Sequence, residues 1–191
     1  MKKIVVIDAH PNEDSLCFSL AESYMKGAKS KGHDVRKLRI AELDFNPNLR
    51  YGYQKRTDLE PDLLKALELI RWADHLVWIH PVWWSGLPAM AKGFIDRLFL
   101  PGLTYEAIPN SYRMKGLLIN KTAEIIATLD QPAWYYRWVS KAPSEHQLKQ
   151  SLQLCGVKVR LVKYIGVVKT STEAKRAKWL QEIERLGQKL K

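Results

Sequence analysis

Residues 76–88 have the sequence LVWIHPVWWSGLP, in which an apolar strand pattern leads directly into two adjacent tryptophans. Leu76–Ile79 is apolar at every position, which is typical of a parallel strand that is covered on both faces. Pro88 suits the first turn of a helix, and the apolar residues after it recur at helical spacing. The stretch therefore predicts an α/β unit with Trp83 and Trp84 at the carboxyl end of a central strand.

The carboxyl ends of the strands are where open α/β sheets bind ligands. Two large flat side chains on a short loop between Pro81 and Gly86 suit a planar aromatic cofactor. The alternative interpretation is that both rings only cap the hydrophobic core. This segment alone leaves the two interpretations open.

Strand and helix patterns alternate along the rest of the chain, which predicts a parallel sheet with right-handed crossovers. The predicted strands are Lys3–Asp8, His33–Ile40, Leu76–Ile79, Thr122–Thr128 and Val157–Gly166. The predicted helices are Ser15–Lys31, Pro61–Trp72, Pro88–Leu98, Glu145–Leu154 with Ser144 as its N-cap, and Thr172–Leu190. This order fits a single α/β domain over residues 1–191, with a flavodoxin-like, doubly wound, five-stranded parallel sheet of order 2-1-3-4-5.

The composition is that of a water-soluble globular protein, and its positive charge is uneven. The net charge is +11, and residues 133–191 carry 13 Lys and Arg against 4 Asp and Glu. This excess is compatible with a solvated basic face, with attraction of an anionic cofactor or with a partner surface. No nucleic-acid module accompanies it, so no nucleic-acid partner is expected.

The chain offers no sign of a membrane span, a disulfide framework or a metal site. No apolar run approaches the ~20 residues that cross a bilayer. Its two cysteines, Cys17 and Cys155, lack CxxC spacing and a neighbouring His/Cys cluster. We therefore expect a cytoplasmic protein without a bound metal.

The loop after the first predicted strand lies where such folds bind a phosphate. It contains neither GxGxxG nor GxxxxGK[ST], so dinucleotide-binding and P-loop interpretations lose their main support. His10 would add a donor, and the Ser15 hydroxyl would cap the following helix and face an anion. Glu13 and Asp14 should then face solvent. In the alternative, Ser15 is only an N-cap and His10 only a turn residue.

Two motifs and the order of the segments resemble one known family. Ala9-His10-Pro11 followed by Ser15-Leu16-Cys17 matches a loop after the first strand, and residues 81–97 match a Pro-x-x-Trp…Pro…Lys-Gly…Asp-Arg signature. Both resemble the flavodoxin-like NAD(P)H:quinone oxidoreductase family, which includes the ancillary oxidoreductases of bacterial potassium-efflux systems. The similarity extends over nearly the whole chain.

This resemblance implies a flavin-dependent NAD(P)H dehydrogenase (quinone). It would transfer hydride from NADH or NADPH to a quinone-like acceptor by a two-electron ping-pong mechanism, with FMN as cofactor and FAD as an open alternative. The implied flavin-binding residues are His10, Ser15, Leu16 and Cys17 at the phosphate and ribityl chain, Pro81, Val82, Trp83, Trp84 and Ser85 at the ring, partly through backbone donors, and Thr128, Leu129, Asp130 and Gln131 at its other edge. The last loop departs from the Thr- and Gly-rich loop of relatives, and no catalytic residue is assigned.

The resemblance also implies a homodimer with active sites at the interface, near residues 99–113 and the aromatic residues 134–138. Trp134, Tyr135 and Tyr136 would form a wall for the nicotinamide and the quinone, and His146 would donate a proton; in the alternative these side chains only pack. Lys92 and Arg97 would pair with Asp96 on a helix surface. Two other functions remain open: a flavin-binding regulatory subunit that docks peripherally on a membrane ion transporter, or a one-electron flavodoxin-type shuttle.

Overall fold

The apolar strand before the tryptophan pair lies at the centre of the sheet in the computed structural model, which describes residues 1–55 and 57–190. The strands are β1 (Lys3–Asp8), β2 (Asp34–Arg39), β3 (His75–Pro81), β4 (Tyr105–Ala107), β5 (Met114–Gly116), β6 (Thr122–Thr128) and β7 (Lys158–Ile165). The helices are α1 (Leu16–Lys29), α2 (Pro61–Trp72), α3 (Ala89–Leu98), α4 (Pro143–Leu154) and α5 (Glu173–Lys189).

The main sheet is parallel and has the order β2-β1-β3-β6-β7, which confirms the predicted topology. Every residue of β3 is buried, because helices cover both faces of the sheet. Core residues of α2, α3 and α4 pack on one face, and those of α1 and α5 pack on the other. No helix in residues 1–55 and 57–190 is long and apolar enough to span a bilayer.

Helices α1 and α5 approach each other more closely than side chains would normally allow. A Cβ atom at Gly27 would collide with the backbone of Glu184, and one at Gly187 would collide with the backbone of Tyr24. Glycine at both positions lets the helices pack backbone to backbone. This contact fixes α1, whose amino terminus faces the end of β1.

The Lys-Gly…Asp-Arg part of the second motif is structural, and the prediction for Arg97 is wrong. Lys92 does pair with Asp96 at 2.6 Å on the surface of α3. Arg97, however, is buried and donates to both carboxylate oxygens of Glu60 at 2.8 and 2.9 Å and to the carbonyl of Asp58 at 3.0 Å. It thereby fixes the irregular chain before α2 to α3.

Two local features differ from the sequence-based expectations, and the aromatic segment forms a short helix, which the sequence allowed beside a loop. The connection after α3 contains the antiparallel hairpin β4–β5 rather than only loop. The aromatic segment forms a short π-helix, Tyr135–Val139. Helix α4 begins at Pro143, with Ala142 as its N-cap in a left-handed conformation, so Ser144 is not the N-cap. Ser144 is instead buried, because its hydroxyl hydrogen-bonds inside the protein.

Candidate functional site

A cleft of about 320 Å³ lies at the carboxyl ends of β1, β3 and β6, where the strand order reverses. Ten of the thirteen predicted site residues line it: His10, Ser15, Leu16, Cys17, Pro81, Val82, Trp83, Thr128, Leu129 and Asp130. Asn12 and Val168 complete the lining. The fold thus brings three separate sequence segments into one cleft, while the part that each residue plays in flavin binding stays a prediction.

The β1–α1 loop forms the end of the cleft that suits an anion. Ser15 is the N-cap of α1, and its Oγ accepts a hydrogen bond from the N–H of Phe18 at 3.2 Å. The N–H groups of Leu16 and Cys17 are in the first turn and have no acceptor within the helix. Together with the positive end of the helix dipole, they favour a bound negative charge at this point.

His10 adds a neutral donor beside this helix end. Its Nδ1 accepts a hydrogen bond from the N–H of Asn12 at 3.0 Å, so the hydrogen of the neutral ring is on Nε2. Burial lowers the pKa of His10, although the nearby Asp8 opposes the shift. The ring also contacts Trp83 edge to face, with centroids 5.5 Å apart.

The acidic residues near the loop are kept away from the cleft. Glu13 and Asp14 do not line it. Arg39 explains the position of the Glu13 side chain, because the Arg39 Nη1 lies 3.3 Å from the Glu13 carboxylate. The Nε of the same guanidinium lies 3.5 Å from the Asp8 carboxylate. Burial raises the pKa of Asp8 despite this neighbour. The arrangement lowers the like-charge repulsion that a phosphate would meet at this loop, while the carboxylate of Asp130, which does line the cleft, accepts from the N–H of Lys169.

Cys17 serves packing rather than nucleophilic chemistry. The side chain is almost completely buried, and Sγ lies 3.3 Å from the Oγ1 of Thr128 at the end of β6. Burial raises the pKa of the thiol to about 12. The thiol is therefore protonated at neutral pH and joins two walls of the cleft.

The two tryptophans have different environments. Trp83 and Gly86 exchange backbone hydrogen bonds at 3.1 and 2.8 Å, and the two residues between them have φ values of +48° and +62°. This is the geometry of a type I′ turn, which is unusual without glycine or asparagine at its centre. Trp83 lines the cleft, whereas Trp84 is fully exposed at the tip of the turn. Trp84 and Ser85 therefore do not line this cleft, and their contact with a flavin ring stays a prediction.

The loop after β6 is held by backbone contacts to the loop after β7. The Leu129 N–H donates to the Ile165 carbonyl at 2.9 Å, and the Asp130 carboxylate accepts from the N–H of Lys169 at 2.7 Å. These bonds bring Val168 into the cleft, which the sequence does not signal. Gln131 lies beyond this contact and does not line the cleft.

Two of the expected backbone donors are already occupied. The N–H of Val82 donates to the Thr128 carbonyl at 2.8 Å, and that of Trp83 donates to Gly86. Pro81 has no N–H. These three residues therefore offer apolar surface, and no free backbone N–H, to a ring in the cleft.

Behind the cleft, three fully buried polar side chains form a network. The Tyr136 hydroxyl and the Ser144 Oγ are 2.7 Å apart, and the His80 Nε2 is 3.4 Å from the same Ser144 oxygen. Tyr136 is thus removed from the expected aromatic wall, since it packs inside against Val82 and Leu129. Burial lowers the pKa of His80 to about 4, so this ring is neutral at pH 7. His146 does not line the cleft.

Comparison with known proteins agrees with this geometry. A family model described as the flavodoxin-like fold matches residues 2–190. The chain belongs to this family. An uncharacterized NAD(P)H oxidoreductase of Haemophilus influenzae is 26% identical over 159 residues, which are 80% of this chain and 78% of that one. The alignments to four further curated relatives span 46–57% of their lengths.

Two solved structures with this fold also superpose on this chain. NAD(P)H:quinone oxidoreductase from Methanothermobacter marburgensis superposes with a TM-score of 0.85 at 23% identity, covering 100% of this chain and 99% of that one. An FMN-dependent NADH-azoreductase from Bacillus anthracis, in complex with FMN, gives a TM-score of 0.77 at 14% identity, covering 98% of each chain. At 23% and 14% identity, these superpositions show a shared fold only.

Proposed function

We propose that this protein is a flavin-dependent NAD(P)H dehydrogenase that reduces quinone-like acceptors. The observation that carries the proposal is the cleft itself, in which an anion-binding helix end adjoins apolar walls. A phosphorylated, planar ring needs both parts in one place. The names of the related proteins, which are oxidoreductases of NAD(P)H, quinones or azo compounds, support the same reaction class.

The residues present fit FMN. The first turn of α1 offers free N–H groups, and His10 Nε2–H and the Ser15 hydroxyl are further donors on the lining of the cleft. The cleft has one such end, which matches the single phosphate of FMN better than the two phosphates of FAD. The walls formed by Val82, Trp83 and Leu129 are apolar or aromatic, as the isoalloxazine ring requires.

A bound flavin supplies the hydride chemistry, and the protein supplies binding, orientation and electrostatics. In this chain, the β1–α1 loop would hold the phosphate and set the depth of the ring. Val82 and Leu129 would pack against the ring and exclude water. Arg39 would keep the negative charge of Glu13 away from the phosphate.

We also propose that donor and acceptor bind in turn, in a ping-pong cycle. The fully exposed Trp84 beside the cleft favours a second copy of this chain that covers the rim. We therefore propose a homodimer.

The experiment that tests the function starts with the colour and FMN content of the purified protein. FMN titration, followed by oxidation of NADH and NADPH with menadione as acceptor, measures binding and turnover. We expect stoichiometric FMN and turnover that depends on it. A protein that neither contains nor takes up FMN would contradict the proposal.

A matched pair of variants connects the result to the cleft. Ser15→Asp keeps a good N-cap but adds a negative charge at the phosphate end, so FMN affinity should fall at least about tenfold. Thr172→Asp makes a similar change at the N-cap of α5, which does not line the cleft. It should leave FMN binding and turnover unchanged. If the two substitutions lowered the FMN affinity equally, the β1–α1 loop would not be the phosphate-binding part of the site.

A further inference from the structure

A fully buried carboxylate lies where the β1–α1 loop leaves the sheet, outside the lining of the cleft. Asp8 is the last residue of β1, follows four apolar residues and has no exposed surface. It does not line the cleft, whereas His10 and Asn12 do. A buried carboxylate costs free energy of desolvation unless it has partners. The partners of Asp8 therefore indicate why a carboxylate stands at the end of an apolar strand.

Three side chains in and before this loop each hold the backbone N–H that lies two residues further along the chain. The Asp8 Oδ1 accepts a hydrogen bond from the N–H of His10 at 3.0 Å, and the His10 Nδ1 accepts one from that of Asn12 at 3.0 Å. The Asn12 Oδ1 in turn accepts from the N–H of Asp14 at 2.9 Å. We call these three bonds the loop ladder. Such local bonds stabilise turns, and this series ends one residue before Ser15, the N-cap of α1.

Asp8 connects the loop ladder to the sheet. The N–H of Ala9 still bonds to the Ile79 carbonyl of β3 at 2.9 Å. β2 ends at Arg39, opposite Asp8, and the next N–H, that of His10, bonds to the Asp8 carboxylate instead of to a strand. The first bond of the ladder is therefore made by a side chain that is fixed in the core, and each later bond starts from the residue that the previous one holds.

Arg39 offsets the charge of this carboxylate. The Arg39 Nε lies 3.5 Å from the Asp8 Oδ2, and both side chains are almost completely buried. That distance is beyond the usual length of a hydrogen bond, and Oδ2 has no other hydrogen-bond partner among the described residues. The ion pair lowers the repulsion that the carboxylate would exert on a nearby anion. The hydrogen bond to the loop is made by Oδ1, an atom that an asparagine side chain also has.

We propose that Asp8 is a positioning residue for the phosphate of FMN, which acts through the backbone of His10. The inference rests on the proposed function and adds a residue that does not line the cleft. By making the first bond of the loop ladder, Asp8 holds the His10 ring and its Nε2–H in place before FMN binds. The loop then loses little conformational freedom on binding, and this preorganisation raises the affinity.

The FMN affinity of three variants tests this role. Asp8→Ala removes the acceptor and should raise the Kd for FMN about five- to tenfold, as the loss of one such hydrogen bond does. Asp8→Asn keeps an Oδ1 acceptor and should stay within about threefold of the wild type. Asp74→Ala is the matched control, because the Asp74 Oδ2 accepts from the N–H of Lys3 at 2.9 Å at the opposite end of β1. Equal losses in Asp8→Ala and Asp74→Ala, or in Asp8→Ala and Asp8→Asn, would overturn the proposal.

A double-mutant cycle separates positioning from a general loss of structure. His10→Leu removes both ring nitrogens, so the ladder is interrupted and Asp8 can no longer act on the phosphate through that ring. In the His10→Leu background, Asp8→Ala should therefore weaken FMN binding less than about twofold. At saturating FMN, Asp8→Ala should have the kcat of the wild type with NADH and menadione, because Asp8 does not line the cleft. Additive losses in the cycle would show that Asp8 acts independently of His10 and would refute the proposal.

Hydrogen exchange of the full-length protein without added flavin provides a readout that does not depend on FMN. The N–H groups of His10 and Asn12 should exchange at least about tenfold faster in Asp8→Ala than in the wild type, while those of β3 should not change. Asp8→Val, which suits a buried strand end and also lacks the acceptor, replaces Asp8→Ala if that variant does not fold. Unchanged exchange at His10 would refute the positioning role.

The two proposals fail in different ways. A wild-type protein that binds no FMN would refute the proposed function, and with it any role of Asp8 towards the phosphate. A protein that binds FMN, and in which Asp8→Ala changes neither the affinity nor the exchange at His10, would refute only the positioning role.

Discussion

At the residue scale, His10 connects the loop conformation to the proposed phosphate contact. Its Nδ1 is occupied by the Asn12 N–H, so Nε2 is the atom left to donate. We predict that His10→Leu weakens FMN binding about tenfold, whereas His10→Gln, which can both accept and donate, stays within about threefold. Quenching of flavin fluorescence on titration measures both. Equal affinity of the wild type and His10→Leu would exclude a phosphate contact by this ring.

The same residue predicts a pH dependence. Burial holds the pKa of His10 below its usual value of 6.5, so the ring is neutral at pH 7 and becomes a cation only as the pH falls further. A cation beside a phosphate attracts it more strongly. The ratio of wild-type to His10→Leu affinity should therefore increase as the pH falls through that pKa, and a constant ratio would contradict the contact.

At the element scale, Arg97 fixes the chain before α2 to α3. Its guanidinium is buried, and its bonds to Glu60 and Asp58 replace the water that those groups would otherwise bind. Arg97→Met should lower the free energy of unfolding by about 2–3 kcal/mol, since Glu60 is left partly buried without its partner. Lys92→Met, in the half-exposed pair on the same helix, should cost about 0.5 kcal/mol or less. Urea denaturation compares the two, and similar losses would show that burial of the pair is unimportant.

The Glu60 side chain also gives this interaction a pH range. Burial would raise the pKa of Glu60, but hydrogen bonds from Arg97 and from the Asn46 N–H outweigh it and hold the pKa below the usual 4.5. The stabilisation is therefore present above the unfolded-state pKa and is lost as the pH falls through the lower, folded-state value. In Arg97→Met, the free energy of unfolding should fall less on acidification than it does in the wild type.

The elements with a strong repeating pattern could be predicted from the sequence, and those set by tertiary contacts could not. The apolar run Leu76–Ile79 predicted the central strand, and the alternation of strands and helices predicted the sheet order, which brings the β1, β3 and β6 loops together. Val168 lines the cleft through tertiary contacts, since its N–H donates to the Leu129 carbonyl and Asp130 accepts from the next N–H along the chain, and the buried Ser144 hydrogen-bonds to Tyr136. The β4–β5 hairpin has three-residue strands, too short to produce an alternating pattern.

At the scale of the whole molecule, Trp84 is the residue that a single copy of the chain does not explain. It lies fully exposed at the centre of a turn with two non-glycine residues at positive φ, a conformation that costs free energy. The turn directs a large apolar ring away from its own cleft, and the second copy of the chain proposed above would bury that ring. A tryptophan buries about 150–250 Å² at an interface, and a twofold dimer would bury two of them.

This leads to a prediction about assembly. Trp84→Ser should raise the dimer dissociation constant at least about 100-fold, because both copies lose the anchor at once. The secondary structure measured by far-UV circular dichroism should not change, since the fully exposed side chain buries almost no surface within its own chain. Sedimentation velocity over a concentration series measures the constant, and Tyr53→Ser is the control, because this 73% exposed aromatic lies outside the segments expected at the interface. If Trp84→Ser sediments as the wild type does at every concentration, the homodimer does not form through this turn, and the exposed ring must be explained by a different partner.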